Sequence, residues 1–153
     1  MPIRHATLAD TPALVAMAAR FLATSPYGAL LPTTPTQIER LVTVVRDAGT
    51  ILLAEVDGQA VGLLALLAAD HPLNGRPYAE ELAWWVEPEH RGGHLGAALL
   101  AEAESWAAAQ GLGLLKMVAP EPVDGLGAFY EARGYRPLER AYVKALPVTG
   151  RSD

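Results

Sequence analysis

The chain has 153 residues, of which 51% are hydrophobic and 19% charged, a length and composition typical of one folded domain with one core. Its formal net charge of -5 at pH 7 argues against a general nucleic-acid or anionic-membrane surface, although it is compatible with a local basic pocket for a phosphorylated small molecule. The absence of cysteine excludes disulfides, thiolate metal sites and a cysteine nucleophile.

No uncharged stretch of the sequence is long enough for a transmembrane helix, and the N-terminal segment lacks the apolar core of a signal peptide. We therefore expect a cytoplasmic protein that binds neither nucleic acid nor membranes. Because the composition is uniform along the chain, we expect one domain over residues 1–148, followed by a flexible tail at residues 149–153.

The hydrophobic pattern of the first part of the chain predicts one strand, two helices and a hairpin. Residues 3–7 have the composition of a short strand. Apolar residues then recur at helical spacing up to about residue 23, and again over residues 36–47, with a proline-punctuated loop at residues 24–35 between them. The dipeptide Asp57-Gly58 lies between two apolar runs and predicts a tight hairpin.

The second part of the chain predicts a strand-helix-strand unit. Residues 79–88 form a strand that ends at a proline, and residues 113–120 form a second strand. Between them an alanine-rich helix runs to Gly111, with Leu95, Leu99, Ala103 and Trp106 on its predicted buried face, so the unit should be a right-handed parallel crossover. A short helix at residues 125–133 and one or two closing strands follow. We therefore predict an α/β fold, with one mixed twisted sheet of six to seven strands flanked by about four helices.

The segment HRGGHLGAALL, which begins at His90, joins that first strand to the alanine-rich helix. Glycine is unfavourable as plain helix sequence, because it loses more backbone freedom than alanine on folding. At a strand-helix junction, however, glycines let a phosphate approach the unpaired N–H groups at the positive end of the helix dipole. The spacing does not fit a P-loop, because Gly96 is followed by alanines, and it does not fit the dinucleotide fingerprint. The segment therefore predicts a phosphate-binding loop of another kind.

The run VEPEHRGGHLGAALL resembles the acetyl-CoA signature of the GCN5-related N-acetyltransferases (GNATs), roughly Arg/Gln-x-x-Gly-x-Gly/Ala after a strand that ends in Val-x-Pro. A second segment, GAFYEARGYRP, is similar to that family's Tyr-Glu-x-x-Gly-Phe motif, and the order of elements is similar too. The resemblance implies the acyl-CoA N-acyltransferase fold and acetyl-CoA as the acetyl donor. The sequence departs from the family pattern at His94, which replaces the middle glycine, and in lacking the asparagine that often precedes the second motif. Asp124 is nearby and is a candidate cap for the short helix.

Direct attack of an amine on a thioester needs a base, an oxyanion donor and an acid for the departing sulfur, without a covalent intermediate. Glu80 or Glu81 is the candidate base, because a carboxylate in a partly apolar cleft has a raised pKa, and since neighbouring strand residues face opposite ways only one can face the cleft. A backbone N–H near Trp85 or Val86 is the candidate oxyanion donor. Tyr130 lies where the family often has the tyrosine that protonates the thiolate. The candidate cofactor-binding residues are Trp85, Val86, Arg91, Gly92, Gly93, His94, Leu95, Gly96, Ala97 and Tyr130.

These observations predict an acetyl-CoA-dependent N-acetyltransferase acting on a primary amine of a small molecule or peptide. Two alternatives stay open: a catalytically degenerate domain that binds an acyl-CoA as a sensor or interaction module, and an FAD- or nucleotide-binding module that uses the same loop. His90 and His94 have a spacing that can bind zinc on a helix, but the glycines between them and the lack of a third ligand lead us to predict no metal. The resemblance to the family also leaves a homodimer open.

Overall fold

Five strands form one mixed sheet in the computed structural model, which describes residues 3–120 and 125–149. The strands lie side by side in chain order, with antiparallel pairing from the first to the fourth and parallel pairing between the last two. They are β1 (Ile3–His5), β2 (Gly49–Val56), β3 (Gln59–Asp70), β4 (Pro77–Val86) and β5 (Leu115–Lys116). The predicted α/β class and mixed sheet are confirmed, although the described residues contain five strands instead of six to seven.

The described residues also contain five α-helices, whereas the sequence predicted about four. They are α1 (Thr11–Thr24), α2 (Tyr27–Leu30), α3 (Pro35–Ala48), α4 (Leu95–Ala109) and α5 (Leu126–Glu131). The extra helix, α2, is a single turn inside the predicted loop. At the start of α3 the Thr34 hydroxyl accepts a hydrogen bond from the Gln37 N–H, and Pro35 occupies the first turn, where its missing N–H costs nothing. None of the described helices is long and apolar enough to span a bilayer.

The sheet is buried on both faces because its central strands are apolar on both sides. On one face α1 and α3 pack in a cluster that includes Met17, Val45 and Trp85. On the other face α4 inserts Leu95, Leu99 and Ala103 against β2 and β3. The helical face predicted for α4 is therefore the one that is buried, and it fixes the N-terminal end of α4 beside the end of β4.

The predicted hairpin is confirmed between β2 and β3. Asp57 and Gly58 both have positive φ, at 50° and 76°, as a two-residue type I′ turn requires. Every residue of β2 pairs with β3, with one register shift that leaves Val61 of β3 as an extra residue. This hairpin supplies the central strands on which the site-bearing strand, β4, is aligned.

A bulge in β4 changes which side chains share a face. Ala83 is opposite Ala65 and Glu81 is opposite Leu66, so Leu82 is an extra residue on β4. Strict alternation would place Glu80 with Trp84, but after the bulge it is Glu81 that shares the α4 face with Trp84. Glu80 lies on the α1 and α3 face instead.

The strand predicted at residues 113–120 is much shorter than expected. Only Leu115 and Lys116 pair with β4, opposite Ala79 and Glu80, while β4 itself continues to Val86. The two strands therefore part after Lys116. Two residues beyond this point, Val118 is contacted by the side chains of Glu81 on β4 and Tyr130 on α5.

The prediction of closing strands was wrong for the described residues. Residues 135–149 form neither helix nor strand, and residues 136–149 are exposed. The short β5 offers only two paired residues as an edge, and Pro137 and Pro147 have no N–H to donate to a ladder. Asp124, the proposed cap of α5, and residues 150–153 of the predicted tail lie outside the described residues; the described N-cap of α5 is Gly125.

Candidate functional site

An open groove of about 550 Å³ lies between the N-terminal end of α4 and α5. One wall, called the glycine wall below, is formed by the segment of residues 90–97. The other wall is formed by α5 and the residues next to it, and Trp84 lies between the two walls. Its lining residues are Trp84, His90, Arg91, Gly92, Gly93, Gly96, Ala97, Gly125, Leu126, Phe129 and Arg133. Five of the residues proposed from the sequence as cofactor contacts therefore line a single groove.

The glycine wall leaves room for a ligand close to the main chain. A Cβ at Gly92 or Gly93 would meet no atom within 4 Å, and one at Gly96 would lie 3.5 Å from Cζ2 of Trp84. Gly92 has φ of 81°, in the left-handed region that favours glycine. The first N–H groups of α4 have no intrahelical acceptor, so this wall presents donors and a positive dipole end.

His94 replaces a family glycine without backbone strain. It is the N-cap residue of α4, with φ of -97° and ψ of -8°, a conformation with negative φ that does not require glycine. Its side chain is exposed and does not line the groove. Leu95, the next candidate, is buried in the core between α4 and the sheet, so only its main chain can serve a ligand.

Arg91 lines the groove, but its guanidinium is held back towards β4. Its Nε donates to the Val86 carbonyl at 2.6 Å, and its Cζ lies 4.4 Å from the centre of the Trp85 ring. These contacts leave the terminal nitrogens of Arg91 as the donors for a ligand. The phosphate contact that the sequence suggested for Arg91 stays a prediction.

The two tryptophans face opposite sides of the sheet, as strand geometry predicts. Trp85 is 7% exposed and packs in the core beneath α1, whereas Trp84 is half-buried and lines the groove. The cofactor contact expected at Trp85 and Val86 therefore concerns their main chain. Trp84 is the indole at the groove.

Glu81 and Tyr130 both hydrogen-bond to the main chain of Val118, beyond the point where β4 and β5 part. Glu81 Oε2 accepts a hydrogen bond from the Val118 N–H at 2.7 Å, and the Tyr130 hydroxyl donates to the Val118 carbonyl at 2.8 Å. Tyr130 also lies beside Trp84, with ring centres 6.0 Å apart. The structure thus brings a candidate base and the candidate acid to the same residue, next to the groove.

Burial raises the pKa of both groups. Burial raises the pKa of Glu81 from 4.5 to about 7, opposed by the hydrogen bond from the Val118 N–H. Burial also raises the pKa of Tyr130 far above its ordinary value, with a smaller contribution from the charge of Glu81. Near neutral pH, Glu81 is therefore able to exchange a proton while Tyr130 retains its own.

Glu80 lies on the other face of β4, among polar neighbours. It accepts a hydrogen bond from the Tyr78 hydroxyl at 2.8 Å and lies 3.4 Å from Lys116 Nζ, which also pairs with Glu139. Its side chain is 39% exposed. Of the two glutamates that the sequence left open, only Glu81 is directed into the gap beside Tyr130.

Arg133 and Phe129 line the groove but were not among the residues proposed from the sequence. They are four residues apart on one side of α5 and its C-terminal end, and both belong to the second motif. Their i, i+4 spacing within a motif already linked to the site was the available indication. The motif match drew attention to Tyr130 instead.

A second open cavity, of about 620 Å³, lies beyond the end of β4. It is lined in part by Arg20, Glu87 and Glu89. Its buried carboxylate, Glu87, already accepts a hydrogen bond from Arg20 Nε at 2.8 Å, a contact that ties α1 to the end of β4. In residues 3–120 and 125–149, no three His, Cys, Asp or Glu side chains group closely enough to hold a metal.

The geometry defines an α/β protein with one mixed sheet and a glycine-lined groove at the end of its fourth strand. The sequence profile of the Acetyltransferase (GNAT) family matches residues 16–135, which include α4 and Tyr130. The chain therefore belongs to the GNAT acetyltransferase family, whose members generally use acetyl-CoA. No match to the sequence was found among curated proteins.

Solved structures share the fold at low sequence identity. A ribosomal-protein-alanine N-acetyltransferase from Brucella melitensis biovar Abortus 2308 is 22% identical, with a TM-score of 0.74 over 95% of this chain and 100% of that one. An acetyltransferase from Trypanosoma brucei is 20% identical, with a TM-score of 0.74 over 94% and 98% of the two chains. A transcriptional regulator from Bacillus halodurans C-125 is 21% identical, with a TM-score of 0.75 over 94% and 98%. Similarity at this level establishes the common fold.

Proposed function

We propose that this protein transfers the acetyl group of acetyl-CoA to a primary amine of a small molecule or peptide, by direct attack in a ternary complex. The observation that carries the proposal is the link from Glu81 through Val118 to Tyr130, which combines a carboxyl with a pKa of about 7 and a protonated phenol beside the groove. Family membership supplies the acetyl-CoA half of the proposal.

The groove fits the phosphorylated end of coenzyme A. The open space beside Gly92 and Gly93 admits a bulky diphosphate to the main chain, and the first N–H groups of α4 face it. The gap between β4 and β5 begins after Lys116, where β4 has no paired strand on that side within the described residues. A pantetheine arm entering this gap would bring its thioester towards Glu81 and Tyr130.

When bound, acetyl-CoA supplies an acetyl group activated as a thioester. Glu81 accepts a proton from the amine, so that the nitrogen can form the new C–N bond while the C–S bond breaks. Tyr130 gives its proton to the sulfur, and the proton held by Glu81 returns to Tyr130 through solvent. Main-chain N–H groups of β4 near Trp85 and Val86 stabilise the negative charge that develops on the carbonyl oxygen.

The proposal is tested by thiol release from acetyl-CoA across a panel of small amines, amino acids and short peptides. We expect at least one acceptor to give thiol and acetylated amine in equal amounts, the latter measured by mass spectrometry. Tight coenzyme A binding without thiol release across the panel would favour a sensor or interaction module. Stabilisation by adenine nucleotides but not by coenzyme A would favour a nucleotide-binding module.

A further inference from the structure

Arg133 places a positive charge on the wall of the groove that faces the glycine segment. It follows α5, whereas Gly92, Gly93 and Gly96 belong to the opposite wall, at the start of α4. Two walls with separate donors suit a ligand with two separate anionic groups, because a single anion would be served by the N–H groups of α4 alone.

The guanidinium of Arg133 is held in place by α5. Its Cζ lies 3.6 Å from the centre of the Phe129 ring, and its Nη1 donates to the Phe129 carbonyl at 3.3 Å. Phe129 in turn packs against Trp84, with ring centres 5.8 Å apart. An arginine has five N–H donors, so these contacts orient the group and leave most of its donors for a ligand.

The groove is lined by positively charged side chains, although the net charge of the chain is negative. The chain has a formal charge of -5, yet the charged and titratable side chains lining the groove are His90, Arg91 and Arg133, with no carboxylate among the described lining residues. None of the salt bridges within residues 3–120 and 125–149 includes Arg133. A cation that is oriented by aromatic stacking, rather than paired with a carboxylate, is suited to recognising an anionic ligand.

Coenzyme A carries two separate anionic groups on its nucleotide end, a diphosphate and a phosphate on the 3′ oxygen of the ribose. The N–H groups of α4 are suited to the diphosphate. We infer that Arg133 binds the 3′-phosphate and thereby selects coenzyme A thioesters over donors that lack this phosphate. This inference rests on the proposed use of acetyl-CoA. It assigns specificity for the acetyl donor to Arg133, which follows α5.

The test compares the dissociation constants of coenzyme A and 3′-dephospho-coenzyme A by calorimetry. The wild type should bind the dephospho form at least about tenfold more weakly, a difference of about 1.4 kcal/mol. Arg133→Gln should bind both ligands equally, close to the affinity of the wild type for the dephospho form. Arg133→Lys, which keeps the charge, should retain part of the discrimination. Arg136→Gln is the matched control, because Arg136 is exposed and does not line the groove.

Unchanged discrimination in Arg133→Gln, or an equal loss of affinity for both ligands, would overturn the assignment to the 3′-phosphate. If Arg133→Gln does not fold, discrimination that is reduced but retained in the folded Arg133→Lys variant supports a charge contact, and its complete loss contradicts one. Wild-type discrimination by Arg136→Gln excludes a general effect of surface charge. A wild-type protein that binds neither ligand would contradict the proposed function itself. This result differs from those that would overturn only the assignment of Arg133, so the two failures can be told apart.

Discussion

Glu81 is a buried carboxyl of this site whose protonation state changes near neutral pH. The folded chain raises its pKa from 4.5 to about 7, so the folded state holds the proton more tightly than the unfolded state. The contribution of Glu81 to stability is therefore most favourable below about pH 4.5 and becomes less favourable as the pH rises to about 7, where the folded carboxyl also ionises. Each unit between two pKa values corresponds to about 1.4 kcal/mol, so ionising Glu81 should cost about 2 to 3 kcal/mol between pH 5 and pH 8.

Replacing Glu81 with glutamine should remove this pH dependence, because the amide oxygen can still accept the Val118 N–H but does not titrate. Urea unfolding at pH 5 and pH 8 measures the difference, with Glu89→Gln, at an exposed glutamate, as the control. The same variant should lose the rise of kcat/KM near pH 7 that a base of this pKa produces. An unaltered pH dependence of stability would mean that Glu81 is ionised throughout the range.

Replacing Tyr130 with phenylalanine should lower kcat by roughly a hundredfold to ten-thousandfold, the usual contribution of a positioned acid. Coenzyme A binding should change little, because the hydroxyl meets the sulfur only as charge develops there. The lost hydrogen bond to the Val118 carbonyl should cost about 1 kcal/mol of stability.

The measurements for Tyr130→Phe are kcat and the dissociation constant of acetyl-CoA on the same preparation. Tyr135→Phe is a close control, since its hydroxyl donates at 2.8 Å to Glu104 and not to the gap. An unchanged kcat in Tyr130→Phe would leave Tyr130 as a packing residue and would require water or Glu81 as the acid.

At the scale of elements, sequence patterns correctly predicted the features that depend on neighbouring residues, such as turns and the buried faces of helices. The hairpin at Asp57-Gly58 and the buried face of α4 follow from turn chemistry and from helical spacing. The bulge at Leu82 does not follow from the sequence, because its pattern of side chains fits regular alternation equally well. That single extra residue is why the sequence could nominate two glutamates without choosing between them.

The closing strands illustrate a second limit of prediction at this scale. Their composition suits a strand, but a strand needs an edge with which to pair, and the sequence does not reveal that pairing on β5 stops after Lys116. Arg133 was missed for a similar reason. Its position opposite the glycine wall depends on how α5 packs beside Trp84, which spacing within the motif does not specify.

The glycine wall makes a prediction about the start of α4. Replacing Gly96 with valine should weaken coenzyme A binding by about tenfold or more, or about 1.4 kcal/mol, because the branched side chain would fill the space before the N–H groups. Alanine should be better tolerated, since its Cβ would lie at an ordinary contact distance of 3.5 Å from Trp84. Binding by calorimetry and melting temperature distinguish a blocked groove from a damaged fold.

Gly113→Val provides the control for Gly96→Val, because a Cβ at Gly113 would meet no atom within 4 Å and Gly113 does not line the groove. Full coenzyme A affinity in Gly96→Val would contradict the placement of the phosphates at this wall. A loss of affinity accompanied by a lower melting temperature would indicate damage to the packing of α4.

At the scale of the whole molecule, the two faces of the sheet differ in how they are covered. The α1 and α3 face is a packed core that contains Trp85, whereas the α4 face combines a core with an open groove and the gap beside β5. Ligand binding at the groove would connect α4, β4 and α5. β4 and α4 are separated only by residues 87–94, whereas α5 begins at Leu126, so a ligand that contacts all three elements should stabilise the packing of α5 against the other two.

Coenzyme A and acetyl-CoA should therefore raise the melting temperature of the protein, whereas NAD should not. A ligand that binds only the folded state adds about 2.7 kcal/mol at a concentration one hundred times its dissociation constant. For a chain of this size that corresponds to a rise of roughly 5 to 10 °C. NAD shares the adenosine diphosphate but lacks the 3′-phosphate and the pantetheine arm, so it tests whether the groove recognises more than a diphosphate. Scanning calorimetry with each ligand at matched concentration makes the comparison, and an equal rise with NAD would contradict the assignment of this groove to coenzyme A.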